Sequence, residues 1–218
     1  MKAAIKAEAA AGMIGEGAVL LVGGFMAVGS PLRLIDAILK RGVGGLTVVC
    51  NDLATPDRGV GKLVAAGLVR RAIVSHIGLN PVAQQKMMAG EIEIELVPQG
   101  TLVERIRAAG YGLGGVLTAT GLGTPVEDGK QIIEVDGRQF ILEKPIRGDF
   151  ALLACHHADY VGNLGYVLTA HNFNPIMALA GEVVIAEAEH IVPVGMIPPD
   201  MVKTPGVLVD YLLGRAAA

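Results

Sequence analysis

The sequence predicts an α/β fold, with an open, mostly parallel sheet that carries helices on both faces. Short, continuous apolar runs alternate with amphipathic segments through the first half of the 218 residues, and this alternation is typical of βαβ units with buried parallel strands. The 30 glycines and the low aromatic content of 4% indicate tight turns around an aliphatic interior. Because no linker or change in composition divides the chain, we expect a single domain over residues 1–218.

The clearest local pattern is a strand, a glycine-rich loop and a helix near the N-terminus. Residues 18–22 form a short apolar run that predicts a buried strand, preceded by an Ala-rich helix over residues 2–13. After the loop, Ser30 is predicted to cap a helix that begins at Pro31 and ends at Gly42. The side chains of this helix that face the core are predicted to be Leu32, Ile35, Ile38 and Leu39.

The alternation of strands and helices continues through residue 97. Apolar runs at residues 46–50, 72–75 and 92–97 are predicted as further strands. Helices are predicted immediately before Val69 and over residues 82–89. Each of these helices would cross one face of the sheet, and right-handed crossovers then make the strands parallel.

The second half of the chain is less regular. Six glycines between residues 110 and 123 predict a surface loop or lid. Asp136-Gly137 separates two apolar runs within residues 132–142, and this pattern predicts a β-hairpin insertion. Strands at residues 150–154 and 183–186 are expected to join the main sheet, and residues 207–213 are predicted as a closing helix.

Charge and cysteine content exclude several classes of function. The chain has 18 Lys+Arg against 21 Asp+Glu and no basic block, so nucleic acid is a poor partner. Cys50 and Cys155 have no second cysteine nearby, so we expect neither a disulfide framework nor a Cys-x-x-Cys site.

The N-terminal segment lacks the features of a targeting or membrane segment. Two acidic residues, Glu8 and Glu16, precede the first apolar run, whereas a secretory signal begins with a basic region. The apolar run is also too short to cross a bilayer. We therefore expect a cytoplasmic protein without a membrane span.

The glycine-rich loop is the first candidate binding site. Free backbone N–H groups at the carboxyl end of a strand, just before a helix, bind anions well. An ordinary tight turn between strand and helix is the alternative. The spacing matches neither the phosphate loop G-x-x-x-x-G-K nor the dinucleotide motif G-x-G-x-x-G. The candidate binding residues are Gly23, Gly24, Phe25, Met26, Ala27, Val28, Gly29 and Ser30.

Two polar residues follow other predicted strands at the same edge of the sheet. Gln99 comes just after the strand at residues 92–97, and Asn51 follows the strand at residues 46–50. Open α/β folds bind ligands at this carboxyl edge, so both residues are candidate substrate contacts. The alternatives are a solvent-facing residue at a helix start for Gln99 and an Asx turn for Asn51.

Other polar clusters favour structural roles. The run Cys155-His156-His157 suggests a metal site, but neighbouring residues on a strand point to opposite faces and no third ligand is evident, so we expect no bound metal. His190 belongs to a polar surface stretch. The charges at Glu104, Arg105 and Arg107 predict a solvated helix face or a subunit interface.

A series of motifs follows one order along the chain, from about residue 2 to residue 209. The motifs are Val22-Gly-Gly-Phe25, Gly29-x-Pro31, Asn51-Asp52, Ser75-His-Ile-Gly78, Val97-Pro-Gln-Gly-Thr-Leu102, Glu104-Arg-Ile-Arg107, Thr120-Gly121, Gly123-Thr124, Gly162-Asn163-Leu164 and Asn172-Phe-Asn-Pro175. Together they resemble the A (α) subunit of family I coenzyme A transferases, of the acetate or acetoacetate type. Three positions depart from the family pattern: Glu16 replaces Asp or Asn, Ala119 replaces Pro, and His171 replaces Arg.

The resemblance implies an open α/β fold of the sugar-phosphate isomerase and CoA-transferase type. It implies that the chain helps to move CoA between an acyl-CoA and a short-chain acid, with coenzyme A as co-substrate and no permanently bound cofactor. The nucleophilic glutamate would lie on a separate B (β) subunit, in an A2B2 or larger assembly, and this chain has no Ser-Glu-Asn-Gly stretch of the kind that carries it. The resemblance assigns CoA and acyl binding to residues 23–30, oxyanion support to Gln99 and a substrate contact to Asn51.

Several functional alternatives remain open at this point. Acetoacetate is the leading acceptor, because residues 75–78 and Asn80-Pro81 resemble that branch more than the 3-oxoadipate branch. A 3-oxoadipate-type subunit is the first alternative. A sugar-phosphate isomerase-like protein on the same fold would need its own base and a cationic phosphate clamp, and the glycine loop contains neither Lys nor Arg. A non-catalytic CoA-binding or regulatory module is the third.

Overall fold

A computed structural model describes residues 1–2 and 4–214 of the chain. The helices are α1 (Ala7–Met13), α2 (Leu32–Arg41), α3 (Val60–Ala65), α4 (Pro81–Met88), α5 (Gln99–Gly110) and α6 (Asn174–Ala180). The strands are β1 (Val19–Val22), β2 (Leu46–Cys50), β3 (Val69–Val74), β4 (Glu93–Leu96), β5 (Val116–Thr118), β6 (Ile132–Val135), β7 (Arg138–Glu143), β8 (Gly148–Asp159), β9 (Leu164–Gly165), β10 (Gly181–Val192) and β11 (Tyr211–Leu213). Within these ranges, no helix is long and apolar enough to cross a membrane.

The main sheet has eight strands, seven of which run in parallel in the order β11-β10-β8-β1-β2-β3-β4. The short β9 pairs with β8 in the antiparallel direction. Helices α1 to α4 cover one face, and α5 and α6 cover the other. Side chains of β1 alternate accordingly, because Leu20 and Val22 pack on the first face and Leu21 on the second. The predicted open α/β fold is confirmed, and its assignment as one domain over residues 1–218 stays a prediction.

Strand β1 lies at the topological switch point of the sheet. The chain first builds β2, β3 and β4 on one side of β1 and then returns to place β8 on its other side. Ligands bind in open α/β sheets at the carboxyl ends of the strands near such a reversal. The glycine loop at residues 23–30 leaves the carboxyl end of β1, so the topology puts it at this point.

A separate three-stranded antiparallel sheet has the order β5-β7-β6. Its β6–β7 hairpin turns at Asp136 and Gly137, whose φ angles of 50° and 73° are typical of a two-residue type I′ turn. The predicted hairpin insertion is confirmed. The prediction of a glycine-rich loop or lid over residues 110–123 is only partly correct. Helix α5 continues through Gly110, and residues 116–118 form β5, which pairs with β7.

The two ends of the chain differ from the sequence predictions for one shared reason. The first helix begins at Ala7 rather than at residue 2, because Ala4 forms a bridge with Leu212 and the Ile5 amide donates to the Leu212 carbonyl. The helix predicted at residues 207–213 is wrong: a 3-10 turn at Gly206–Leu208 is followed by β11, which pairs with β10. Strand pairing at the edge of the sheet overrides local helix propensity at both places.

Helix α2 begins one residue later than predicted, and Ser30 does not cap it. The Ser30 hydroxyl instead donates to the Gly23 carbonyl at 2.7 Å. The carboxylate of Glu187 on β10 accepts from the Arg33 and Leu34 amides at 3.3 and 3.0 Å, and this places a negative charge at the helix N-terminus.

The end of α2 agrees with the prediction, because Gly42, with φ 70°, ends the helix. The fully buried face is Leu34, Ile35, Ala37 and Ile38, whereas Leu32 and Leu39 are only partly buried.

Arg105 is buried, which contradicts the prediction of a solvated or interface position. Its guanidinium donates to Glu95 at 2.7 Å and to the Lys144 carbonyl at 2.9 Å, and it lies 3.6 Å from the buried Glu143. Arg71 holds the second Glu95 oxygen at 2.8 Å. Burial opposes ionisation of Glu95, but Arg105 and Arg71 outweigh it and hold the Glu95 pKa below its usual range.

Replacing Glu95 by glutamine is expected to destabilise the protein at neutral pH and to have little effect in acid. Because folding lowers the Glu95 pKa, its stabilisation is complete above the ordinary value of 4.5 and is lost as the pH falls through the lower folded value. Urea unfolding at pH 7 and at about pH 3 measures both differences. Glu134→Gln, at an exposed position on β6, is the control. An equal loss of stability at both pH values would contradict the ionic explanation.

Candidate functional site

The glycine loop folds back on itself as a tight two-residue turn. The Phe25 amide donates to the Val28 carbonyl at 2.9 Å, and the Val28 amide donates to the Phe25 carbonyl at 2.8 Å. The central residues Met26 and Ala27 have φ angles of 49° and 63°. This left-handed backbone costs a non-glycine residue about 1–3 kcal/mol, so the surrounding contacts must hold it in place.

The three glycines of the loop are required by close backbone approach. A Cβ atom on Gly23 would lie 1.9 Å from Asn174 Oδ1, and one on Gly29 would lie 2.7 Å from Ala170 Cα. Gly24 has φ +106°, and a Cβ there would lie 2.3 Å from Ser30 Oγ. Any larger residue at these positions would push the loop away from the end of β1.

Asn174, at the start of α6, is the side chain that ties the loop to its neighbours. It is fully buried, and its amide nitrogen donates to the Gly29 carbonyl at 2.9 Å and to the Ala170 carbonyl at 2.8 Å. Its oxygen accepts from the Ala154 amide on β8 at 3.2 Å. From the sequence, Asn174 belongs to a family motif and has no assigned role, since two of its three partners, Ala154 and Gly29, lie 20 and 145 residues away.

Asn51 and Gln99, the two predicted substrate contacts, touch each other. Gln99 begins α5 and is exposed, and its side-chain nitrogen donates to Asn51 Oδ1 at 2.7 Å. Asn51 is buried, and its Oδ1 also accepts from the Ser75 hydroxyl at 3.0 Å. Because this contact uses one N–H of the Gln99 amide, a second N–H remains to donate to a ligand.

Asp52 connects the Asn51–Gln99 pair to the glycine loop. One carboxylate oxygen accepts from the Met26 amide at 2.9 Å and from the Asn51 side chain at 3.4 Å. The other oxygen accepts from the Ala54 amide at 2.8 Å. Asp52 is buried and was not assigned a role from the sequence. It supports the left-handed backbone at Met26 and fixes the distance between the loop and the pair.

A cavity of about 510 Å³ lies beside the loop. Residues 27–30 and 167–170 line it, together with the charged residues Arg33, Arg58, Glu187 and Glu189. Arg58 was missed because its sequence neighbourhood carries no motif. The other candidates, namely residues 23–26, Asn51 and Gln99, do not line the cavity, so the cavity includes only part of the predicted site.

Both cysteine thiols of the chain are buried and unpaired. Burial raises the pKa of the Cys50 thiol, and the charge of Asp52 raises it further. Burial also raises the pKa of Cys155, to which Glu189 and Glu187 add. Both thiols therefore stay protonated at neutral pH, and neither provides a thiolate nucleophile beside the loop.

The profile of the coenzyme A transferase family matches residues 4–214. The chain belongs to the coenzyme A transferase family. This confirms the resemblance drawn from the sequence motifs.

Named relatives of this coenzyme A transferase chain are α subunits. The acetate CoA-transferase subunit alpha of Escherichia coli (strain K12) is 48% identical over 204 residues, which cover 94% of this chain and 93% of the relative. The acetoacetyl-CoA:acetate/butyrate CoA transferase alpha subunit of Clostridium acetobutylicum is 45% identical over 202 residues, which cover 93% of each chain. An α-subunit name implies a β-subunit partner.

A solved transferase has the same fold. The acyl-CoA transferase from E. coli O157:H7, crystallised as a thioester complex with CoA, superimposes with a TM-score of 0.85 at 23% sequence identity. The match covers 98% of this chain and 47% of that chain, so the present chain spans about half the length of that protein. Because the sequence identity is only 23%, the similarity shows a shared fold and nothing more. The shared fold agrees with the parallel sheet described above.

Proposed function

We propose that this chain is the α subunit of a short-chain acyl-CoA:carboxylate CoA-transferase of the acetate or acetoacetate type. The observation that carries the proposal is the match, over 93–94% of the chain, to two α subunits named for these substrates. The compact arrangement of a glycine loop, an amide pair and a cavity at the switch point of the sheet supports it.

In the proposed reaction, a glutamate of the β subunit attacks the thioester carbonyl carbon of an acyl-CoA. The carbonyl oxygen takes up negative charge, the C–S bond breaks, and CoA leaves as the thiolate while the acyl group stays on the glutamate as a mixed anhydride. The thiolate then attacks the glutamyl carbonyl carbon, which releases the donor acid and leaves a glutamyl-CoA thioester. The acceptor acid attacks this thioester, and the same two steps in reverse transfer CoA to the acceptor and free the glutamate. The α chain then has two tasks, which are to bind CoA and the acyl group and to stabilise the oxygen on which charge develops.

The glycine loop performs the binding task in this proposal. Gly23, Gly24 and Phe25 form the wall of the site, and the backbone from Gly24 to Ser30 approaches CoA and the acyl group. The Phe25, Met26 and Val28 amides already donate within the protein, so the backbone N–H groups of Gly24, Ala27 and Gly29 suit this role. They are oriented before the substrate arrives and do not titrate. The Asp52 and Asn174 contacts hold the loop in its left-handed conformation, which supports a preorganised site.

Gln99 performs the stabilising task, with Asn51 beside it. The hydrogen bond to Asn51 Oδ1 orients the Gln99 amide nitrogen, and its second N–H can donate to the developing oxyanion. An amide is suited to this because it stabilises negative charge without adding a charge to the acyl-CoA complex. Asn51 also contacts the substrate in this proposal, and its burial against Ser75 keeps it in place.

The partner in this proposal is a β subunit that carries the nucleophilic glutamate, in an A2B2 assembly. The protonated thiols of Cys50 and Cys155 support a nucleophile from outside this chain. The rim of the loop is apolar and exposed, with Phe25 at 44%, Val28 at 42% and Leu168 at 93%. Apolar surface of this kind is typical of a protein interface, which supports a subunit packed against the loop.

Coenzyme A is a co-substrate in this proposal: it enters as the donor acyl-CoA and leaves as the acyl-CoA of the acceptor. We also propose a cytoplasmic location. The free thiols of both cysteines support a reducing compartment, and acyl-CoA substrates agree with it.

The decisive experiment is a CoA-transfer assay with acetoacetate as acceptor and acetyl-CoA or succinyl-CoA as donor. The chain is assayed alone and after co-production with its candidate β subunit. We expect transfer only when both chains are present, because the nucleophile comes from the partner. Full activity of the chain alone would contradict the split site. Transfer to 3-oxoadipate but not to acetoacetate would instead favour the 3-oxoadipate type.

A further inference from the structure

Three side chains with metal-binding atoms meet near the carboxyl ends of β8 and β10. His156 lies on β8, and Glu189 and His190 lie on β10, which pairs in parallel with β8. The Nδ1 atom of His156 is 2.7 Å from a Glu189 carboxylate oxygen. One ligand atom from each of the three residues lies within 4.8 Å of the other two. The third ligand is not evident from the sequence, because 33 residues separate His156 from Glu189.

Strand pairing sets β8 and β10 side by side, with Ala188 paired to Cys155 and His190 paired to His157. The register therefore aligns His190 with His157, and the cluster forms because the ligand atom of His190 approaches those of His156 and Glu189. The rings of His156 and His190 are 5.3 Å apart, and the His157 ring lies 4.3 Å from His156 and 5.5 Å from His190. Three imidazoles and a carboxylate are therefore concentrated at one position on the surface of the sheet.

We propose that His156, Glu189 and His190 form a binding site for a late first-row divalent metal ion such as Zn²⁺. Two imidazole nitrogens and one carboxylate oxygen are a ligand set that zinc prefers. Ligand bonds of about 2.0–2.2 Å in a tetrahedron need ligand atoms about 3.4 Å apart. The exposed Glu189 and His190 side chains can turn to reach that spacing, since the atoms already lie within 4.8 Å.

The site would hold its ion with three protein ligands and an open fourth position, to which water or a small ligand can bind. His156 and Glu189 also contribute to the wall of the cavity beside the glycine loop, so the ion would lie at the edge of that cavity. The ion would link β8 and β10 near their carboxyl ends. Because it would bind only to the folded chain, it would raise the midpoint of thermal unfolding.

The test uses the full chain without an affinity tag, in the form in which it purifies, after treatment with a chelator. Calorimetric titration with Zn²⁺ is expected to give one saturable site per chain. Titration with Co²⁺ is expected to give the visible absorption bands of a tetrahedral complex, which a simple His156–Glu189 ion pair would not produce. Zn²⁺ is expected to raise the unfolding midpoint of the same sample.

The variants His156→Asn and His190→Asn are each expected to weaken Zn²⁺ binding about tenfold or more and to lose the Co²⁺ bands. Glu189→Gln removes the anionic ligand at an exposed position, so it tests the site even if a histidine variant folds poorly. His76→Asn, at an exposed histidine outside the cluster, is the matched control and should bind as the wild type does. Unchanged Zn²⁺ affinity in all three cluster variants, or no saturable binding by the wild type, would overturn the proposal.

Discussion

Replacing Gln99 by alanine will lower kcat of the assembled transferase by about 10²- to 10³-fold, the effect of losing one oxyanion donor. The KM for acyl-CoA is expected to change little, because the glycine loop rather than Gln99 binds the CoA portion. The stability of the chain is also expected to change little, because Gln99 is exposed and only its bond to Asn51 is lost. Steady-state kinetics and thermal unfolding of the same preparations measure both effects.

Two further variants make this test specific. Gln99→Glu keeps the length of the side chain but replaces the N–H donor by an acceptor, so it should reduce kcat at least as much as alanine does. Gln139→Ala, at an exposed glutamine of the small antiparallel sheet, should leave kcat unchanged. A rise in KM with kcat intact in Gln99→Ala would assign Gln99 to substrate binding and would refute its role in oxyanion support.

Replacing Asn174 by alanine is expected to lower both stability and activity. The substitution leaves the Gly29 and Ala170 carbonyls and the Ala154 amide without their partner at partly buried positions. Each unsatisfied group costs about 1–3 kcal/mol, and with partial relaxation we expect the free energy of unfolding to fall by about 2–4 kcal/mol. Activity should fall as well, because the loop loses the contact that holds Gly29 in its left-handed conformation.

A matched control separates the two effects of Asn174→Ala. Asn80 is equally buried and makes side-chain hydrogen bonds to the Ala83 amide and the Leu53 carbonyl, but it does not contact the glycine loop. Asn80→Ala should therefore lose stability while the folded enzyme keeps most of its kcat. Urea unfolding and kinetics at a temperature where both variants are folded give the comparison. Equal loss of kcat in both variants would refute the special role of Asn174.

The main elements of the fold could be predicted from local patterns. Apolar runs that alternate with helical segments indicate a parallel sheet with covered faces, and the positions of β1 and β2 follow from them. The hairpin followed from Asp136-Gly137, since a type I′ turn needs two residues that tolerate positive φ. The candidate loop at residues 23–30 and the candidates Asn51 and Gln99 followed from their places after predicted strands.

Other features depend on partners that are distant in sequence. The helix predicted at residues 207–213 is replaced by β11 because the edge of β10 offers backbone hydrogen bonds there. Arg105 is buried because Glu95 and Glu143 neutralise it from two other strands. The sequence around Arg105 predicts a helix, but it does not indicate that Glu95 and Glu143 lie next to this side chain.

By itself, the sequence determined the α/β class, the family and the residues that lie at the carboxyl edge of the sheet, because these depend on local periodicity and short motifs. Only the tertiary structure decided how those residues act together. It joined Gln99 to Asn51, connected Asn51 to Met26 through Asp52, and assembled His156 with Glu189 and His190. The physical reason is that hydrogen bonds and ligand clusters require precise distances between side chains, and chain folding brings together residues that sequence spacing keeps apart.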